Sequence, residues 1–205
     1  MQMTQKTTMA KNGADQVMEL RNETGAGIMD CKRALLETKG DLKAAKDLLR
    51  KKGFEIAKKK SDRSVKEGQV FSYIHLGGKI GVLVEVNCET DFVARNSEFQ
   101  QFGRDVAMQI AASRPLFVSR NEIDPKWLEQ EKEIFRAQIK DKPAQIQDQI
   151  IQGKLEKRFQ EVCLLDQKFI KNEDITIKDL LTGLISKLGE NVVIKRFRRF
   201  EIGSE

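Results

Sequence analysis

Histidine and cysteine are scarce in this chain: His75 stands alone, and Cys31, Cys88 and Cys163 are the only thiols among 205 residues. The cysteines are far apart, odd in number and free of any C-x-x-C pair. That spacing argues against a disulfide framework or a zinc site. Reduced thiols are the natural reading, with a bridge between subunits as the alternative. The histidine sits in a strand-like run, where a structural role is expected. No Ser, Cys or Lys stands in the sequence context of an activated nucleophile. No apolar stretch approaches the length of a membrane-spanning helix. Residues 1–10 are polar and lack the apolar region of a secretion signal, so a cytoplasmic protein is expected, with some disorder at this end. There is no low-complexity tract and no repeat of fixed period.

What remains is a chain that is 40% apolar and 33% charged. This composition fits a folded soluble protein with a heavily charged surface, long enough for one or two small domains. The net charge of +6 is unevenly placed: residues 1–60 carry 14 Lys/Arg against 8 Asp/Glu, residues 61–194 carry 19 against 21, and residues 195–205 carry 4 against 2. A basic N-terminal third suits an acidic partner surface or nucleic acid. It equally suits a solvated helix face. The cluster Arg50-Lys51-Lys52 with Lys58-Lys59-Lys60 keeps a basic RNA-binding or ribosome-associated module open as an alternative, although only Phe54 is near it for base stacking.

The spacing predicts three short helices between Ala14 and Lys60. Val17 and Leu20 give the first an apolar side, and Gly25-Ala26-Gly27 breaks it. Ile28, Cys31 and Leu35 share the next face. Gly40 stops that helix, and Asp41 is a candidate N-cap for a third, which carries Leu42, Ala45 and Leu49 and runs until Gly53. The run 58–63 reads as a linker. The period then becomes two. Val70 to Leu76 and Ile80 to Asn87 alternate on either side of Gly77-Gly78, a hairpin signal because glycine accepts the positive φ of tight turns. Such a hairpin needs cover, and Phe99, Phe102, Val106 and Ile110 supply it from one helix face. Asp124-Pro125 opens a helix. Two charged helices come next, near Lys126–Lys140 and Pro143–Phe159. Leu128, Phe135 and Ile139 on one and Ile146, Ile150 and Phe159 on the other form a narrow seam, as in a helical hairpin projecting into water at about 126–160. A helix from Ile177 to Leu188 ends at Gly189. A last strand from Asn191 to Phe200 carries Val192 and Ile194 on one side, and Lys195, Arg196, Arg198 and Arg199 suit an edge.

The run Asn87 to Asn96 stands out. It begins at the end of the alternating strand and places an acid beside a phenyl ring. Two readings stand on spacing alone. Asp91 and Phe92 form a wedge aimed at another macromolecule, or Phe92 is core and Asp91 an N-cap. Gly25-Ala26-Gly27 lacks the lysine and hydroxyl of a phosphate loop and reads as a turn. Glu85, Glu89 and Asp91 lack the regular oxygen spacing of a hard-cation loop.

Two long segments carry a resemblance. Thr24 to Leu35 is similar to the N-terminal signature of bacterial elongation factor Ts, and Gly81 to Val93 resembles the second signature of that family. The similarity extends to Glu190-Asn191 and the closing strand. It implies an α+β fold: a ubiquitin-associated-like three-helix module over residues 1–60, then residues 61–205 as an antiparallel β core packed by helices, with the helical hairpin protruding. The segment order read from spacing is the same. The resemblance implies a non-catalytic guanine nucleotide exchange factor whose partner is GDP-bound elongation factor Tu, with no cofactor or metal of its own and no direct contact with nucleic acid or membrane.

The same resemblance assigns Thr90, Asp91, Phe92 and Val93 to the partner's GTPase domain near its magnesium site. Val17, Leu20, Arg21 and Met29 are candidate docking contacts of the first module, and the same residues also suit its interior. Longer members carry two related core subdomains in tandem. Here one hairpin runs directly into the final helix and strand, so a homodimer that restores the missing half is expected.

Overall fold

The computed structural model describes residues 13–140 and 142–203. The expected disorder of residues 1–10 lies outside them. Three helices come first: α1 (Gly13–Thr24), α2 (Ile28–Glu37) and α3 (Leu42–Lys60). Gly25 has φ +67° and Gly40 φ +86°, the left-handed turns that separate them. Asp41 caps α3 by accepting from the Ala44 amide at 3.0 Å. Leu20, Cys31, Ala34, Leu35 and Ala45 form a small interior of their own. The expected stop at Gly53 is overturned, because α3 runs through it to Lys60. Gly53 is buried, and a Cβ there would lie 3.4 Å from Thr182 Cγ2, so the glycine serves close helix packing rather than termination. Lys58, Lys59 and Lys60 likewise form the last turn of α3, not a linker, where cations suit the helix dipole.

The core is built on a sheet. Strands β1 (Glu67–Ile74), β2 (Ile80–Cys88) and β5 (Val192–Glu201) form an antiparallel sheet in the order β1-β2-β5. Gly77 and Gly78 turn the hairpin at φ +87° and +68°. Inward-facing Phe71, Val82, Val84, Val86, Cys88, Val192 and Ile194 are buried beneath α5 (Ser97–Ser113), whose Phe99, Phe102, Val106 and Ile110 face them. A bulge opposite Glu85 and Val86 leaves Lys195 unpaired and resets the alternation. As a result Arg199 points inward, to the Ala111 carbonyl, while Arg196 and Arg198 stay out. Among the described residues no helix covers the other face of this sheet, where Val70, Ile74, Leu83 and Phe200 are all exposed. A two-stranded sheet that sequence periodicity missed, β3 (Lys168–Phe169) with β4 (Asn172–Thr176), leads into α8 (Ile177–Leu188). The Thr176/Asp179 capping box opens α8, and Asp179 also receives Arg50 of α3 at 2.7 Å.

The helical hairpin is α6 (Pro125–Gln138) and α7 (Ala144–Val162). Lys154 meets Gln138 and Arg158 meets Glu131, so the helices run antiparallel. Their seam is Ile139, Ile151 and Leu155 with Leu128, Phe135, Ile150 and Phe159 around it. Ile146, expected in the seam, is 41% exposed instead. The arm is rooted where the Phe117 and Leu164 segments pair beside Cys163. The whole is an α+β fold. Among the described residues, no helix is long and apolar enough to cross a membrane.

Candidate functional site

The alternating burial of β2 fixes its register, since a one-residue slip would turn Val82, Val84 and Val86 into water. The strand therefore delivers Glu89 and Thr90 to a set position. Thr90 (φ −129°, ψ 155°) is the N-cap of a single helical turn, α4 (Asp91–Ala94). Its Oγ1 accepts from the Val93 amide at 3.3 Å. Val93 and Ala94 turn inward, 5% and 9% exposed, and Phe92 turns outward at 79%. This removes the reading of Phe92 as core and Asp91 as cap. Asp91 is open to solvent and accepts from Arg95 Nη2 at 2.9 Å, an exposed i,i+4 pair of little energetic weight that a partner's groups can readily replace.

The turn is held from below and from the side. Glu190, just past α8, receives both the Thr90 amide (3.0 Å) and the Thr90 hydroxyl (2.7 Å). Glu89 in return receives the Asn191 amide at 2.6 Å. Antiparallel pairing of Cys88 with Val192 puts these two acid-bearing segments opposite each other. The buried Cys88 thiol donates to the Thr90 carbonyl at 3.1 Å. Burial, and secondarily the Glu190 carboxylate, raises that thiol to about 11, so it is a neutral donor and not a nucleophile. Gln100 donates to the Ala94 carbonyl at 2.6 Å, and Asn96 caps α5. Thr90, Asp91, Phe92 and Val93 thus share one braced turn. What it offers to the outside is an acid and an aromatic ring.

Two sequence-assigned contact roles are corrected by burial. Val93 belongs to the core and anchors the turn, leaving Phe92 and Asp91 to face a partner. Leu20 is fully buried among Cys31, Ala34, Leu35 and Ala45 and presents no side chain to a docking surface. Val17 is half-buried against the same cluster. Arg21 and Met29 are exposed, Met29 at 64%. Met18, Ile28 and Leu36 are exposed on the same helical unit. Met29 and Leu36 are seven residues apart on α2, which puts them on one helix face about two turns apart. The basic cluster is partly committed to internal pairs: Arg50 to Asp179, Lys52 to Glu37 and Lys60 to the Gly189 carbonyl. Phe54 has Arg50 and Lys178 within 5.9 and 5.8 Å of its ring centre, which occupies the face a base would stack on. Glu190 and Asn191, which sequence reasoning met only within the resemblance and gave no role, brace the turn. Their signal lay in the β2–β5 register, which a sequence does not print.

Comparison with known proteins gives one consistent result. A family model described as elongation factor TS matches residues 9–204. The protein named elongation factor Ts of Carboxydothermus hydrogenoformans is 56% identical over 192 residues, covering 93% of this chain and 88% of its own. Its namesake from Syntrophus aciditrophicus is 55% identical over 191 residues, covering 92% of this chain and 95% of its own. That of Thermotoga petrophila is 51% identical over 189 residues, with 92% and 95% covered.

Proposed function

The chain belongs to the elongation factor Ts family, and from that premise we propose that its braced acid–aromatic turn works as a wedge in nucleotide exchange. The family's role is exchange of guanine nucleotide on elongation factor Tu during translation, a function that needs no bond made or cut by the factor. The finer reading is that Phe92 enters between apolar elements of GDP-bound elongation factor Tu while Asp91 competes for groups that support the magnesium and phosphates. The exposure of Phe92, at 79% on a turn held by Thr90 and Glu190, is the observation that carries it. A large ring left in water on a rigid support is the pattern of an interface anchor.

Loosening the nucleotide obeys reciprocity: whatever factor the protein takes from GDP affinity, GDP takes from the protein's own affinity, and a coupling of about 3 kcal/mol corresponds to roughly 150-fold. The equilibrium between free GDP and GTP is untouched. The three-helix unit, over residues 1–60, supplies docking affinity through Met29 and Arg21 with Met18, Ile28 and Leu36 beside them. Residues 61–205 carry the wedge. The protein acts in the cytoplasm and needs no nucleic acid or membrane.

The open sheet face supports a homodimer. Ile74 and Phe200 flank Gly81 across the sheet, and Leu83 and Val70 continue the patch on that side. Ile74, Gly81, Phe200 and Ile202 line one shallow depression. Ile74, Phe200 and Ile202 are 67%, 65% and 74% exposed, a contiguous apolar patch of the kind that marks an interaction site. Glu85 pairs with Arg196 beside them at 2.7 Å. Stopped-flow release of fluorescent GDP from elongation factor Tu tests the main reading. Release is expected to accelerate with factor concentration and then saturate. An unchanged release rate at high factor concentration rejects it.

A further inference from the structure

We infer that Glu190 is a positioning residue of the exchange wedge, setting the angle of Phe92 through Thr90 and linking it to the docking helices. The inference rests on the wedge reading of Phe92. A helical turn of four residues has no stability of its own, so its orientation is whatever its tertiary contacts impose. Val93 and Ala94 seat it in the core, and two charge-assisted hydrogen bonds from Thr90 to the Glu190 carboxylate, at 3.0 and 2.7 Å, fix its N-terminal end. They act on the N-cap itself, two residues before Phe92, where a small tilt is carried directly into the ring's position.

The segment 189–191 faces two ways. On one side Glu190 holds Thr90. On the other, the Gly189 carbonyl accepts from Lys60, and the buried Asn191 side chain donates to the Ser61 and Arg63 carbonyls at 3.4 and 3.0 Å. Ser61 is the C-cap of α3, the third helix of the docking unit. Arg63 also reaches Glu89 at 3.5 Å, closing the loop back to the wedge. Gly189 adopts φ +74° at the end of α8, and α8 in turn is fastened to α3 by the Arg50–Asp179 pair, so this bearing cannot drift independently of the docking helices. The end of the three-helix unit and the turn that carries Phe92 therefore both rest on three consecutive residues. A misplacement of about 1 Å in such a group is enough to cost on the order of 100-fold in rate.

The test is a set of variants assayed for stimulated GDP release at saturating factor, alongside the half-saturating concentration and the thermal midpoint. Glu190→Ala is expected to lower the maximal rate by about tenfold, with the half-saturating concentration shifted by less than about threefold, because the docking surface is intact. In a Phe92→Ala background the same change is expected to cost clearly less than it does alone, since Glu190 acts through the turn that carries the ring. A residue that merely stabilised the fold would add its loss on top of Phe92→Ala. Additive losses, or an unaltered maximal rate in Glu190→Ala, overturn the inference. If Glu190→Ala does not fold, Glu190→Gln decides: its amide keeps the shape and loses the charge, and a loss of about two- to fivefold supports the inference while none overturns it. Failure of the wild-type protein to accelerate release sinks the wedge reading instead.

Discussion

Phe92→Ala separates the wedge from the scaffold. Phe92 keeps 79% of its surface in water, so only roughly a fifth of a side chain of about 200 Å² is sheltered, or about 40 Å². At about 25 cal/mol per Å² its truncation costs the free protein about 1 kcal/mol. Alanine's better helix propensity offsets about half of that. A core phenylalanine costs about 3–5 kcal/mol on the same change. With about 2–4 °C of melting temperature per kcal/mol for a chain of this size, the midpoint is expected to move by less than about 4 °C. The exposed part, about 160 Å², is worth up to about 4 kcal/mol when buried in a partner. Ordering and desolvation consume a share of it, leaving a loss of about 10- to 100-fold in the maximal rate of GDP release. Stopped-flow kinetics at saturating factor and a thermal melt of the same preparation read both quantities. A midpoint that collapses in step with exchange makes Phe92 structural after all, and full exchange activity in the variant refutes the wedge.

Placing a charge on the open sheet face, as Leu83→Lys or Phe200→Glu, is expected to convert a dimer to a monomer in sedimentation equilibrium; a wild-type protein already monomeric at micromolar concentration ends that reading. Gly103→Ala on α5 puts a methyl group inside the Phe71 ring, which packs on Phe99 at 5.9 Å between centroids, so a loss of about 1–3 kcal/mol is expected in urea unfolding, and an unchanged midpoint contradicts the packing. Burial raises the Cys88 and Cys163 thiols from 9.0 to about 11, so the folded chain binds more protons than the unfolded one between those values, and stability falls as pH rises through that window. The Cys88→Ala/Cys163→Ala variant is expected to show a shallower decline between about pH 8 and 10.5 in urea melts; an equal slope removes the thiols as its cause.

Much of the architecture was legible because periodicity reports burial. The inward row Val82, Val84 and Val86 and the helix face Phe99, Phe102, Val106 and Ile110 were readable from spacing, and both lie in the main core. The turns at Gly25, Gly40 and Gly77-Gly78 were readable because each needs a positive φ. Where reading failed, a tertiary contact had overridden a local preference. Gly53 looked like a stop and is a packing site against Thr182. β3 has two residues and β4 five, too few to show a period. Within the site, Thr90, Asp91 and Phe92 carried a motif, and only the fold shows that Phe92 is exposed rather than core. Leu20 was readable as either a contact or interior and Val93 as a contact, and burial places both inside, because a motif names residues without saying which way they point. Glu190 and Asn191 act from a hundred residues away, across a sheet register.

The rooting of the long arm has its own consequence. The backbone leaves the body near Phe117–Val118 and comes back at Cys163–Leu165, where the two segments are already hydrogen-bonded to each other. Arg120 ties the same neck to Glu156 and Asp166. Whatever lies beyond this neck starts and finishes at one spot, so adding or deleting whole turns at its far end leaves the body's geometry unstrained, with each added residue extending a helix by about 1.5 Å. Reach is therefore a quantity that descendants of this chain can adjust almost freely, while the distance between the three N-terminal helices and the protruding ring is not.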